Sequence, residues 1–542
     1  MSNEAVNDLL ERLEQLTSIG IALSAEKEAD RLQEKILLGA KEITNADGGT
    51  LYTVIDNSLL QFEIIRSDSL NFAMGGTSGR NIPFDPIPLH EANGAPNLKM
   101  VAAYAVLNDR TVNIPDAYTA DGFDFSGTRE FDNKTGYRST SFLTIPMKNH
   151  ENDIIGVLQL INAKDRKTGE IIPFSGNSQR LAESMASQAA IAMTNSMLIS
   201  ELEALFEAMI QLIATAIDDK SPYTGGHCRR VPELTLLIAD AVDKANYGPM
   251  KGFKLTDKDI YELKIAAWLH DCGKIITPEN VVDKSTKLEC IYDRIETVNT
   301  RIESLKKDLE IDLLHKKIGI LEKRLSDNNS DLESEHKQKL AALEDDRIFL
   351  HKANIGGEFM SDEARQRVTE LGQKTFNSNG KKEQLLTKDE IYNLCIPKGT
   401  LTDEERQVIN HHIVATIKML ESLPFPKHLS NVAEYAGGHH ERMNGKGYPK
   451  GLTKEQMSVQ ARMMGIADIF EALTARDRPY KKGMLLSDAL RIMGKMRQDN
   501  HIDGDLFDIF IKEKVYLGYA TKFLEQEQID DILHEEIPGY GA

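Results

Sequence analysis

From about Ser178 to Asp218 the chain runs without a proline, and Leu181, Met185, Ala189, Ala192, Met197, Leu202, Leu205, Met209 and Leu212 recur along it at helical intervals. One helix of that length extends roughly 60 Å at 1.5 Å per residue, more than one small core covers. It must leave one folded body and reach another, as a connecting helix over 176–218 that pairs with a second copy of itself. The 542 residues supply material for roughly three or four domains around it.

The flanks of this helix carry different periods. Residues 5–43 read as helices, with Leu9, Leu10, Leu13, Leu16 and Ile19, then Leu32, Ile36 and Leu37, at helical spacing. From about 49 the pattern turns strand-like: "GTLYTVID", "LQFEIIRSD", "TVNIPDAY", "STSFLTIPMK" and "DIIGVLQLINAK" are short β-prone runs bounded by turn residues. Between 285 and 385 Lys, Glu, Asp and Leu dominate. There Ile295, Val298, Ile302, Leu305 and Leu309 alternate steps of three and four, and Ile318, Leu321 and Leu325 continue the stripe. "SDNNSD" at 326–331 reads as a turn, and Leu332, Leu340 and Leu343 bring a second helix back. The segment is expected to be an inserted helical hairpin.

Charge narrows the partners. A net charge of −19 repels polyanions, so an extended nucleic-acid polymer is excluded while a small phosphate ligand in a local basic pocket is not. Cys228, Cys272, Cys290 and Cys395 form no C-x-x-C pair, which argues against a zinc knuckle or a disulfide framework. No apolar run is long enough for a membrane span, and the acidic N-terminus is unlike a signal peptide. A cytoplasmic location is expected.

The histidines carry the chemistry. "GGHHERMNGKGYPKG" (437–451) sets His439 beside His440 ahead of a loop shaped by Gly445, Gly447, Tyr448 and Pro449. Adjacent helical residues point about 100° apart, so the pair suits two ligands better than one packing surface. "AAWLHDCGKI" adds His270, Asp271 and Lys274; "YTGGHCRRV" adds His227; "INHHIVATIKML" adds His411 and His412. Asp468 stands in the otherwise apolar "MMGIADIFEAL" and needs a cation there, because a buried carboxylate is costly unless paired or metal-bound. Mixed oxygen and nitrogen donors suit Fe, Mn or similar octahedral ions.

Two resemblances follow from these motifs. "VNIPDAYTADGFDF", "FDNKTGYRSTSFLTIPM" and "IIGVLQLINAKD" resemble, in that order, a GAF domain, a sensor fold with an antiparallel sheet and flanking helices. The cyclic-nucleotide-binding branch has an Asn-Lys pair and a later acidic pair. Here Ala163 follows Asn162, and "SGNSQ" follows Phe174, so the GAF ligand stays unassigned and dimerisation alone is the other reading. Residues 205–530 resemble the HD-GYP family of cyclic dinucleotide phosphodiesterases, through the His before "RV", H-D-x-G-K, a later His, H-H-E with G-Y-P, and the Asp ahead of R-P-Y. The architecture so implied is multidomain: an α+β GAF domain over 1–175, the connecting helix, and an all-α HD-GYP domain over 219–542 interrupted by the 285–385 hairpin.

Carried over by motif position, the resemblance implies two divalent metals per chain, Fe or Mn before Mg, Ni or Co. His227, His270, Asp271 and Asp468 would surround one metal, and Asp271 would bridge to a second held by His412, His439 and His440. His411 is not expected to be a ligand. Tyr223 stands where some members carry a Glu for a third metal. The implied catalytic groups are Asp271 and Lys274, and the implied substrate contacts are Lys274, Arg442, Tyr448, Arg478 and Lys481. The implied reaction is hydrolysis of a cyclic dinucleotide, cyclic di-GMP ahead of cyclic GMP-AMP, to a linear dinucleotide or mononucleotides, in a homodimer regulated by its GAF domain. Two rivals remain: a catalytically weak cyclic-dinucleotide receptor acting through partner proteins, and a simpler HD phosphohydrolase acting on nucleotides, which would lack H-H-E and G-Y-P. The largest departure is the insertion, since 142 positions (412 − 270) separate two ligands of one site.

Overall fold

The computed structural model describes residues 3–26, 28–220, 226–322, 329–357, 359–476 and 483–540. They form two compact units, 1–206 and 207–542.

The first unit is built on one antiparallel sheet of β1 (Ala46–Ile55), β2 (Leu59–Ser67), β3 (Phe72–Gly75), β4 (Ile87–Pro88), β5 (Val112–Ile114), β6 (Phe142–Lys148), β7 (Ile154–Lys164) and β8 (Ile171–Ile172). Its order is β3-β2-β1-β7-β6-β5, with β4 on β2 and β8 on β7. Asp56 and Asn57 join β1 to β2 with φ of 49° and 51°, the mirror-image turn whose twist matches that of the strands. Helices α1 (Asn3–Ala25) and α2 (Ala29–Thr44) cover one face, α3 (Val101–Leu107) and α4 (Ser126–Thr135) the other. The core of the first face joins Leu23, Leu32, Ile36 and Leu37 to Leu158, Met185 and Ala189. Gly39 lets α2 close on it, because a Cβ there would meet Met185 Cε at 2.7 Å.

Helix α5 (Gly176–Lys220) runs unbroken for 45 residues, as the proline-free sequence requires. Past the first core its apolar residues face outward: Leu198, Leu202, Leu205, Met209 and Leu212 are 50–70% exposed. Among the described residues, no helix is long and apolar enough to cross a membrane.

The second unit is mostly helical. Helices α6 (His227–Lys244), α7 (Asp257–Leu269) and the short α8 (Glu279–Val282) precede the insertion. Inside it, α9 (Ile295–Glu322) packs on α10 (Asn329–Asn354), so the expected hairpin occupies a smaller span than 285–385. The remainder is α11 (Asp362–Gly372), a two-stranded hairpin of β9 (Thr375–Ser378) and β10 (Lys381–Gln384), and α12 (Lys388–Leu394). That hairpin corrects the all-α expectation; its signal is Asn379-Gly380, both at positive φ. The insertion owns a core of Leu288, Ile295, Val298, Ile302, Leu350, Val368, Leu371 and Leu386. Ile318 and Leu321, expected to extend the buried stripe, are 50% and 74% exposed. Toward its far end α9 lies against α10, and two helices cover one face of each other. Leu325 lies outside the described residues.

After the insertion come α13 (Asp403–Glu421), α14 (Val432–Gly437), α15 (Val459–Thr474), α16 (Leu486–Gln498), α17 (Gly504–Lys512) and α18 (Val515–Phe523). Thr256 with Asp259, and Thr402 with Glu405, form capping boxes that fix where α7 and α13 begin. On α15, Phe470 packs edge-on against Phe510 and Tyr519 at 5.1 and 5.7 Å. Residues two apart on a helix face nearly opposite ways, so this aromatic anchor turns Asp468 toward the other side.

Candidate metal centre

Helix α7 ends at Leu269, and a tight turn over Cys272–Ile276 follows His270 and Asp271. Gly273 lets α13 lie directly on that turn: a Cβ there would fall 2.0 Å from the His412 carbonyl oxygen and 2.6 Å from Thr416 N. The Gly273 amide donates to Thr416 Oγ1 at 2.9 Å. Gly438 and Gly465 bring α14 and α15 together in the same way, with Cβ positions 2.8 Å from Ala461 Cβ and 3.1 Å from the His439 carbonyl.

Four imidazoles are oriented by one device. His270 Nδ1 faces the Ala267 carbonyl at 2.7 Å, His439 Nδ1 that of Ala436 at 2.5 Å, and His412 Nδ1 that of Ile409. His227 Nδ1 faces the Glu471 carboxylate at 2.5 Å. A carbonyl only accepts, so in His270, His412 and His439 Nδ1 carries the proton and Nε2 presents a lone pair. These lone pairs meet one another. His227 Nε2 lies 3.3 Å from His270 Nε2, 3.2 Å from Asp271 Oδ2 and 3.4 Å from Asp468 Oδ1. His412 Nε2 lies 3.2 Å from Asp271 Oδ1, and His440 Nδ1 lies 3.9 Å from Asp468 Oδ2. Asp271 Oδ1, His412 Nε2 and His439 Nε2 are buried and, among the described residues, have no hydrogen-bond partner.

Buried acceptors pressed against one another are unfavourable unless a cation lies between them. Three overlapping groups answer that need, each with donor atoms within 4.8 Å: His412 with His439 and His440, His227 with His270 and Asp468, and His270 with Asp271 and His439. The donor set, neutral imidazoles with carboxylates, fits divalent transition ions.

Charge follows the same layout. Burial works against the Asp271 carboxylate, yet Lys274, with Nζ at 2.5 Å, and His270 hold it well below the usual range. Burial likewise opposes the charge on Lys274, and Asp271 outweighs it, so this ammonium stays protonated. Burial depresses His439, and pushes His440 down to about 4, which leaves both neutral at pH 7. His227 is raised despite burial by the surrounding carboxylates, Glu471 foremost.

The loop after His440 is tied down by Glu441, whose carboxylate accepts from the amides of Lys450, Gly451 and Leu452 at 2.7, 3.1 and 2.9 Å. Gly447 is required, since a Cβ would sit 2.4 Å from Glu441 Cα. The Tyr448–Pro449 bond is cis, and the Tyr448 ring lies 4.9 Å from the His440 ring. Arg442 is half-buried and near enough to act electrostatically on Tyr448. His411 faces solvent. Arg478, Lys481 and Tyr223 lie outside the described residues.

Three supporting residues escape sequence reading. Glu471 pairs with His227 and with Arg230 at 2.6 Å; its signal is a second acid one turn after Asp468. Lys220 Nζ donates to the carbonyls of Lys274, Ile275 and Thr277 at 3.2, 2.6 and 2.6 Å, and Asp218 accepts from the Gly226 and Cys228 amides. Both stand at the end of α5, so the last turn of that helix holds the His227 and Lys274 turns together.

Comparison with known proteins agrees with this layout. Residues 28–193 match the GAF domain family and residues 388–506 the HD domain family. The HD match starts at α12, the last helix of the insertion, so it takes in His412, His439, His440 and Asp468 but leaves out His227, His270 and Asp271. Over 138 residues the chain is 39% identical to a cyclic di-GMP phosphodiesterase of Pseudomonas aeruginosa, covering 25% of this chain and 32% of that one. Over 114 residues it is 35% identical to a 3'3'-cGAMP-specific phosphodiesterase of Vibrio cholerae, covering 21% and 26%. The chain thus spans about a third or less of these relatives' lengths. A solved GAF domain from an Acinetobacter phosphoenolpyruvate-protein phosphotransferase matches at 13% identity and a TM-score of 0.26, over 37% of this chain and 99% of that one. The two family matches and the curated relatives, joined to the H-H-E and G-Y-P segments, support reading the chain as an HD-GYP protein with an N-terminal GAF domain.

Proposed function

We propose that the second unit hydrolyses a cyclic dinucleotide, cyclic di-GMP or cyclic GMP-AMP, with two divalent metals held by His227, His270, Asp271, His412, His439, His440 and Asp468. The observation that carries this reading is the set of buried atoms Asp271 Oδ1, His412 Nε2 and His439 Nε2, with no donor to meet them among the described residues. Bound metals supply Lewis acidity toward phosphate oxygens and activate water. The names of the relatives support a cyclic dinucleotide as substrate.

The chain's own groups do the rest. Asp271 turns its two oxygens to different histidines, Oδ2 to His227 and His270 and Oδ1 to His412, which suits a carboxylate shared by two cations. Lys274 holds its proton beside Asp271 and donates it to the departing oxygen of the phosphodiester. Tyr448, its ring beside that of His440, walls the side where a base would lie, and Arg442, Arg478 and Lys481 neutralise phosphate. The seam of Leu198, Leu202, Leu205, Met209 and Leu212, stepping by four and three, supports a parallel homodimer through α5. Because Lys220 and Asp218 end that helix on the His227 and Lys274 turns, a GAF ligand that favours one arrangement of the pair alters turnover.

The test incubates purified full-length protein with each cyclic dinucleotide under Mn or Fe(II) and separates the products. Hydrolysis that disappears in Asp271→Asn supports the proposal. Metal-loaded protein that binds either dinucleotide and cleaves neither shows a receptor instead.

A further inference from the structure

The first unit holds a cavity of about 420 Å³ between the sheet and helices α3 and α4. Rings line it. Tyr52, Phe62 and Phe84 follow one another with centroids 4.8 and 5.6 Å apart, and Phe72 meets Phe131 at 6.2 Å on another wall. The polar wall groups largely satisfy each other: Tyr52 donates to Gln159 at 3.2 Å, and Gln159 donates to Thr144 at 3.1 Å.

A phosphate in this cavity meets no uncommitted cation among the described lining residues. Arg66 is the only Lys or Arg among the described lining residues. Its five donors are all committed: Nε and one terminal nitrogen to Glu34 at 2.8 and 2.7 Å, the others to the carbonyls of Ile65, Met74 and Gly75 at 2.9, 2.8 and 3.3 Å. The remaining attraction for an anion is the start of α4, where Gly127 and Thr128 line the cavity. That position is filled by a carboxylate, since Asp124 accepts the Ser126 amide at 2.8 Å. Asp85 adds a second negative charge to the lining.

We infer that this GAF cavity takes an uncharged planar ring compound of nucleobase or nucleoside size, and rejects the phosphorylated cyclic mononucleotide built on the same ring. The inference rests on reading the GAF domain as a small-ligand sensor. Aromatic walls reward stacking, and an anion left without donors in an apolar site pays a desolvation cost that amounts to at least ~10-fold in affinity.

Calorimetry on the full chain tests it with adenine, adenosine and guanosine against cyclic AMP and cyclic GMP. Only binding that Thr128→Trp removes is counted, because that substitution fills the cavity and leaves the metal centre untouched. At least one uncharged ring should bind ~10-fold or more tightly than its cyclic monophosphate. Cyclic AMP or cyclic GMP binding as tightly as its nucleoside in the unaltered chain overturns the ligand class and keeps the sensor reading. Failure of every probe to show Thr128-dependent binding overturns both.

Discussion

Adding one methyl at Gly273 should dismantle half of the metal centre without unfolding the chain. An alanine Cβ would fall 2.0 Å from the His412 carbonyl oxygen, where ordinary contact begins at 3.4 Å, so the turn and α13 must separate by 3.4 − 2.0 = 1.4 Å. Neither side yields cheaply, since the three atoms in conflict are the His412 carbonyl oxygen, Thr416 N and the buried Thr416 hydroxyl. His412 Nε2 now faces Asp271 Oδ1 at 3.2 Å. Metal–ligand distances tolerate about 0.2 Å, so the displacement carries His412 out of reach. Overpacking costs about 1–3 kcal/mol, which a unit of this size survives. The expected outcome for Gly273→Ala is a cooperative melt at lower temperature, loss of one metal per chain by elemental analysis, and turnover lower by ~100-fold or more, the scale at which orienting groups act on metal sites. Thr416→Val is the control: it removes the acceptor of the Gly273 amide, costs about 1–3 kcal/mol and leaves His412 in place. A folded Gly273→Ala protein with two metals and full turnover would refute the reasoning.

Four further outcomes are expected. His412→Ala should lose metal while His411→Ala keeps it, by elemental analysis; metal loss in the second variant shows that the solvent-facing histidine is the ligand. Glu471→Gln should weaken metal retention against a chelator by ~10–100-fold, because His227 loses the charge that orients its ring. In chelator-treated protein, His440 is neutral when folded down to about 4 but titrates near 6.5 when unfolded. Its contribution is therefore complete above pH 6.5 and lost as pH falls toward 4, by at most about 3 kcal/mol; melts of His440→Asn should lack that portion of the decline, and identical profiles reject it. Leu205→Glu should turn a dimer into a monomer in sedimentation, since it puts like charges into the α5 seam; an unchanged dimer places the interface elsewhere.

The helix over 178–218 and its outward apolar face are legible in the sequence, because helicity needs only local spacing and the absence of proline. The strands 46–55, 59–67, 142–148 and 154–164 are legible too, their apolar runs being long and their ends marked by Asn, Asp or Gly. The hairpin at 375–384 is obscured because its second strand is exposed throughout and alternates nothing, so only Asn379-Gly380 speaks for it. Order and spacing of motifs name the histidines and aspartates of the site, since ligand chemistry restricts the residue types. What spacing cannot supply is which lone pair each ring presents. That is decided by the carbonyls of Ala267, Ile409 and Ala436 and by Glu471, and by glycines that let three helices approach within contact distance. Lys220 and Asp218 have no motif at all: a lysine at a helix end is commonplace, and only the folded turn brings three carbonyls to its ammonium. Sequence determined the chemistry available to this chain, through residue type and local period. Tertiary structure decided its direction, because a hydrogen bond between residues 244 positions apart exists only after the chain has folded.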